Sequence, residues 1–163
     1  LSATSLCSAK DHEFKIGNTT YLLVEKASSW HSAKTKAAKM KKDGKSGHLV
    51  VINSEEENAA IFTELKKLGL KKIAPDGGGA VYVWIGGSDK KKEGVFKWVT
   101  GDLIADGYKN YGSANGKSEP DDWGKGQDAL AMALTRWPIG QASQWNDLND
   151  RNKLPFLVEF SDK

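Results

Sequence analysis

Apolar residues recur at helical spacing near the start of the chain. Trp30, Ala33, Ala37 and Met40 share one face, predicting an amphipathic helix over 29–42 that Asp43-Gly44 would end. Ser54 followed by Glu57 is a capping box. It opens a second helix running to about Leu68, with Ile61, Phe62, Leu65 and Leu68 inward. Short runs rich in β-branched, aromatic and apolar residues predict strands over 20–24, 49–52, 81–85, 96–99, 129–134, 144–148 and 156–160. Residues 69–80, with Pro75 and Gly77-Gly78-Gly79, have the look of an inserted loop. Residues 100–127 form a longer one, rich in Gly, Asp and Asn. Two helices followed by a run of strands is an α+β order, not an alternating one. A structureless stretch of that length in a compact domain usually carries function.

Composition changes this picture little. At 163 residues the chain is expected to be one domain, with a polar lead-in over 1–13 and the domain itself over 14–161. It is 39% hydrophobic and 28% charged, as a globular chain is, and no apolar run approaches the length of a membrane span. No signal peptide is recognisable, as expected of a mature or excised domain. A net charge of +3 is too small to argue for nucleic acid. The lysines gathered at 39–45, 66–72 and 90–92 lack the arginine and aromatic pattern of a nucleic-acid surface, and are expected to be solvated. Cys7 is the single cysteine, so no internal disulfide forms; it is expected to be a bystander.

The candidate chemistry lies in the second half. Glu119, Asp121, Asp122 and Asp128 crowd a Gly-rich, Pro-bent loop, and Asn146 and Asp147 follow at a strand. Hard oxygen ligands on irregular backbone suit calcium. His12, His31 and His48 lie far from these clusters in sequence and are expected to be structural or surface residues. No Ser-His-Asp or Cys-His order is visible, and no enzyme is expected.

Trp84-Ile85-Gly86-Gly87, Phe96-Lys97-Trp98-Val99-Thr100-Gly101, Glu119-Pro120-Asp121, Trp145-Asn146-Asp147 and Phe156-Leu157-Val158-Glu159-Phe160 occur in this order. Together with the Trp30 helix and the Ser54-Glu55-Glu56-Glu57 helix start, they resemble the C-type lectin-like domain over about 14–160. The resemblance implies two helices and a mixed, mostly antiparallel sheet with a long calcium-carrying loop. The family's four usual cysteine positions fall on Ala37, Ala129, Asp150 and Val158, so both bridges are lost together, and Ala37 and Val158 are expected to pack in place of one. The pattern is similar to disulfide-free, bacterial modules carried by large calcium-dependent surface adhesins.

The resemblance assigns a principal calcium to Glu119, Asp121, Gln127, Asn146 and Asp147, with the Asp147 carbonyl as a further ligand and a cis bond before Pro120. An auxiliary calcium would use Asp89, Glu93, Asp122 and Asp128; the alternative is salt bridging of Asp89 and Glu93 to nearby lysines. Sugar hydroxyls would complete the principal site, with Glu119, Asp121, Gln127 and Asn146 as hydrogen-bond partners and Trp123 stacking on the ligand. Mannose-type members carry Glu-Pro-Asn and galactose-type members Gln-Pro-Asp; Glu-Pro-Asp is a hybrid. Gln127 stands where Glu is common, so the carboxylate count at the ion is kept. Glu119 leans the expectation toward fucose, mannose or glucose over galactose. The implied function is calcium-dependent carbohydrate binding outside the cell, within a larger surface protein, with no membrane insertion. The alternative is the same fold binding protein, peptide or ice.

Overall fold

The computed structural model describes residues 11–163. Cys7 and most of the expected lead-in lie outside the described residues. Strand β1 (His12–Ile16) begins two residues ahead of the expected domain start at 14, and His12 pairs with Leu23. It forms a hairpin with β2 (Thr19–Ser28), which runs well past the expected 20–24.

Helix α1 (Trp30–Ala38) starts as expected: Ser29 caps it by accepting the Ser32 N–H at 3.3 Å. It ends four residues short of 42. Lys41–Lys42 form β3, which pairs with β4 (Lys45–Leu49). Asp43 and Gly44 sit between them with φ of 51° and 78°, the backbone of a two-residue hairpin turn. The Asp-Gly pair is therefore a strand connector and not a helix stop. Strand β4 also starts earlier than the predicted 49–52, and Val50 continues it only through single bonds to Leu157 and Gly86.

Helix α2 (Glu55–Lys66) carries the expected capping box. Ser54 Oγ accepts the Glu57 N–H at 3.1 Å, and Glu57 Oε1 accepts the Asn53 N–H at 2.8 Å. Ile61 and Leu65 are fully buried, while Phe62 and Leu68 pack at the edge of the core.

After α2 come β5 (Tyr82–Ser88), β6 (Lys97–Trp98), β7 (Ser113–Ala114), β8 (Lys117–Ser118), β9 (Ala129–Ala133), β10 (Trp145–Leu148) and β11 (Leu154–Phe160). The main sheet runs β1-β2-β11-β5-β9-β10, with β4 on β11 and β6 on β5. Only the β11–β5 contact, Phe156 to Trp84, is parallel, so the sheet is mixed and mostly antiparallel. Strands β5, β9 and β11 are buried along both faces, which explains their near-continuous apolar runs.

Two close approaches fix the architecture. A side chain at Gly47 would meet Ala37 O at 2.7 Å and Val158 Cγ1 at 3.0 Å, so only glycine lets α1 lie against β4 and β11. Ala37 and Val158, two of the lost cysteine positions, are both fully buried in one cluster beside it. A side chain at Gly86 would strike Val50 O at 2.7 Å, which accounts for glycine in the Trp84-Ile85-Gly86-Gly87 motif.

Helix α2 is tied to β10 through buried Asn58. Its Oδ1 accepts the Trp145 indole N–H at 2.8 Å, and its Nδ2 donates to Ser143 O at 3.1 Å. Asn58→Ala leaves that indole N–H without a partner. It should cost about 1–3 kcal/mol of stability, read by chemical denaturation; an unchanged midpoint would refute the tie.

Candidate metal centre

The loop between β6 and β9 is built on the edge strand β10. Gly112 N donates to Trp145 O at 2.9 Å, and Glu119 N donates to Gly112 O at 2.8 Å. Strands β7 and β8 close around Asn115 and Gly116, whose φ of 55° and 76° suit a tight hairpin turn. The Glu119–Pro120 bond is cis, as expected.

Carboxylate oxygens of Glu119, Asp121 and Asp147 lie within 4.8 Å of one another. Asp147, on β10, accepts the Asp121 N–H at 3.1 Å and the Asp122 N–H at 2.8 Å, so the strand grips the loop directly. Glu119 Oε1 accepts the Trp137 indole N–H at 3.0 Å, while its buried Oε2 has no hydrogen-bond partner. Asn146 Nδ2 donates to the Tyr82 hydroxyl at 2.8 Å, and that hydroxyl donates to Gly77 O at 2.6 Å; Asn146 Oδ1 is likewise buried and unpartnered. Glu119, Asp121, Trp123, Gln127 and Asn146 line one cavity of about 240 Å³.

No Lys, Arg or His forms an ion pair with Glu119, Asp121 or Asp147 among the described residues. Burial pushes the Glu119 carboxyl up to about 8 against the Trp137 N–H, with the charges of Asp121 and Asp147 adding to the rise. Burial pushes Asp147 up to about 6, opposed by the backbone N–H groups it accepts. Buried carboxylates with orphaned oxygens call for an electropositive partner. An all-oxygen donor set fits a hard cation such as calcium.

Gln127 is brought to the wall of this cavity but is engaged elsewhere. Its Oε1 accepts the Trp123 N–H at 2.6 Å, and its amide donates to Asp76 O and Oδ2 at 3.2 and 2.9 Å. Here it braces the loop and stands outside the carboxylate trio. Trp123 lies on the rim with 67% of its surface exposed.

A second acidic trio comprises Asp89, Glu93 and Asp128. Asp89 is buried, with Oδ1 unpartnered and Oδ2 accepting the Gly94 N–H at 2.8 Å. Burial raises its pKa, and the charge of Asp89 raises that of Glu93. Asp122, the fourth residue expected here, has Oδ1 turned to the Gly126 and Gln127 N–H groups at 2.7 and 3.0 Å. The expected alternative, lysine bridges to Asp89 and Glu93, does not form among the described residues; Lys90 instead pairs with Asp128 at 2.9 Å.

Asp76, Tyr82 and Trp137 were not singled out from sequence. Asp76 Oδ1 and Oδ2 accept from Asn152 Nδ2 at 2.6 Å and Asn149 N at 2.8 Å as well as from Gln127, pinning the 69–80 loop under the site. A lone carboxylate in a Pro-Asp-Gly turn was the available signal. Tyr82 lies in an apolar run and Trp137 between Arg136 and Pro138; their polar ends meet the site, and no sequence pattern marks them.

A sequence model for the Lectin C-type domain matches residues 26–160. C-type lectin domain family 10 member A of Homo sapiens is 35% identical over 108 residues, which is 63% of this chain and 26% of that protein. Halomucin of Haloquadratum walsbyi is 29% identical over 147 residues, 86% of this chain and 1% of that protein. This chain thus spans only a small part of either relative's length. In three dimensions it superposes on the C-type lectin CEL-I of Cucumaria echinata with a TM-score of 0.71, at 23% identity and over 93% of this chain and 96% of that one. That likeness speaks for the fold.

A carboxyl with a raised pKa keeps its proton in the folded state after the unfolded chain has lost it at about pH 4. Stability then falls as pH rises through the interval between the two pKa values. In chelator, the melting temperature contribution of Glu119 and Asp147 should therefore be present near pH 4 and lost progressively up to about pH 8. Glu119→Gln should flatten the upper part of that fall, and millimolar calcium at pH 7.5 should raise the melting temperature. A profile in chelator identical for wild type and Glu119→Gln would refute the burial assignment.

Proposed function

The chain belongs to the C-type lectin domain family, and from that premise we propose that it is a calcium-dependent carbohydrate-binding module. The observation that carries this reading is the pair of buried, unpartnered oxygens, Glu119 Oε2 and Asn146 Oδ1, on one cavity beside the Asp121 and Asp147 carboxylates. Glu119, Asp121, Asn146 and Asp147 would hold the ion, with Gln127 at the wall. When bound, calcium supplies an electropositive centre for two vicinal sugar hydroxyls. The chain's own part is orientation. Glu119 and Asp121 only accept hydrogen bonds, while the Asn146 amide can also donate, so the two hydroxyls meet unlike partners. Asp89, Glu93 and Asp128, with Asp122 beside them, would hold an auxiliary ion that stiffens the loop.

Glu119 supports fucose, mannose or glucose. One observation favours a second reading within the same function: Trp123 stands exposed on the cavity rim, positioned to stack on the apolar face of a galactose-type sugar. The module is proposed to act outside the cell as part of a large bacterial surface adhesin. The loss of all four family cysteines supports the bacterial assignment, and the match within halomucin, of which the aligned part is only 1%, supports a large parent protein. No helix among the described residues is long and apolar enough to cross a membrane.

A glycan array run with calcium and with chelator tests the function. Binding should require calcium, be displaced by a free monosaccharide, and disappear in the Glu119→Ala, Asp121→Ala variant. Trp123→Ala should weaken the best sugar by about threefold to tenfold if the ring stacks. Binding that no monosaccharide displaces would favour a protein, peptide or ice partner, and turnover of a glycan would overturn the binding-module reading.

A further inference from the structure

A second cavity is larger than the acidic one. A cleft of about 430 Å³ lies between α1 and the β5–β6 turn. Lys34, Lys90, Lys91, Lys92 and Lys97 line it, His31 stands at one end, and no acidic side chain lines it. Its apolar surface comes from Val95, Val99 and Leu103, the last 38% exposed.

The charge there is largely uncompensated. Lys90 is paired with Asp128 at 2.9 Å and Asp150 at 3.5 Å, and Asp150 also meets His31 at 2.9 Å. Lys34, Lys91, Lys92 and Lys97 form no ion pair among the described residues, and residues 1–10 contain no Asp or Glu. Glu93, in the same turn, belongs to the acidic trio with Asp89 and Asp128, and Asp102 accepts from Thr100 Oγ1. Four exposed ammonium groups beside Val95, Val99 and Leu103, with Lys34 Nζ 5.7 Å from the Trp30 ring, make a patch of positive potential that favours an anion.

From this arrangement we infer that the cleft binds a small amphiphilic anion, an apolar or aromatic body carrying a sulfate, phosphate or carboxylate group. The cleft is bounded, not a track, which disfavours an extended polyanion. It contains no arginine fork, and its two tryptophans, Trp30 and Trp98, are 3% and 5% exposed, leaving no open ring on which a base or a sugar would stack. What remains is aliphatic surface beside ammonium point charges. The cleft shares no residue with the Glu119 cavity and touches the second acidic trio only through Lys90.

The test uses the calcium-loaded protein titrated with 1-naphthalenesulfonate and with the uncharged 1-naphthalenesulfonamide, followed by NMR. The sulfonate should bind saturably, shifting signals of Trp98, Val99 and Leu103 but not Trp123, while the sulfonamide binds at least about tenfold more weakly. Lys34→Glu with Lys97→Glu, both exposed and outside the acidic trio, should cut sulfonate affinity by about tenfold or more with calcium binding retained. Leu103→Asp should weaken it independently. Equal binding of the two probes, unchanged binding in the charge-reversed variant, or shifts confined to the Trp123 side would each overturn the proposal. So would preference for a sulfated oligosaccharide or for anionic vesicles over the free sulfonate.

Discussion

Asp147 sits at the end of the sheet's edge strand and accepts two N–H groups of the long loop, those of Asp121 and Asp122. Nearly everything about the acidic site follows from that grip. It brings a buried strand carboxylate against one buried and one exposed loop carboxylate, Glu119 and Asp121. It also fixes Asn146, one residue earlier, on the opposite side of the strand path with its amide on Tyr82. The geometry is therefore set by ordinary strand pairing, Asn146 to Ala131 and Asp147 to Leu130, and not by the loop's own propensities. The cost is electrostatic. Three acids share a site that no side-chain cation neutralises, so the fold holds it under repulsion until protons or a metal ion relieve it.

A domain lacking both family bridges needs other fastenings across the same places. At Ala37 and Val158 the replacement is packing: two small side chains close around Gly47 in a fully buried cluster. At the second implied pair, Ala129 is buried in the core while Asp150 makes polar ties elsewhere. Asp150 receives His31 and Lys90 through its side chain and Trp30 N–H through its carbonyl at 2.9 Å, so it joins the start of α1 to the β5–β6 turn. The pairs involving exposed Lys90 and His31 contribute little energy each. Their value is directional, since they hold the two walls of the lysine-lined cleft in register.

The frame was legible because its signals are local. Ser54 and Glu57 announce α2, and the buried strands announce themselves as apolar runs with glycines at close approaches. The motifs around Glu119-Pro120-Asp121 and Trp145-Asn146-Asp147 placed the trio that the structure brings together. What escaped was set at a distance. Met40 and the Asp-Gly pair continue a helical pattern in sequence, yet β4 offers backbone partners that pull Lys41–Lys42 into a hairpin. The hydrogen bonds of Gln127 to Trp123 N–H and to Asp76, fifty-one residues earlier in the chain, join distant loops and leave no local signal. Asp122 and Asp128 are six residues apart; Asp128 joins Asp89 and Glu93 in the trio, while Asp122 Oδ1 accepts the Gly126 and Gln127 N–H groups.

The lysines of 90–92 are exposed, as expected, but the acids beside them in sequence do not pair with them. As a charge run they suggest a solvated turn, and their neighbours Asp89 and Glu93 suggest local neutralisation. The fold separates the two signs instead. Asp89 turns inward, buried and hydrogen-bonded to Gly94, and with Glu93 it meets Asp128; Lys91 and Lys92 line the far side of the same turn. Lys90 alone reaches across, pairing with Asp128 of the acidic trio while lining the cationic cleft. A cation added to that trio must share Asp128 with the Lys90 ammonium, and an anion in the cleft must share Lys90 with Asp128 and Asp150. One turn thus presents its acids to Asp128 and its lysines to the cleft, and Lys90 belongs to both sides.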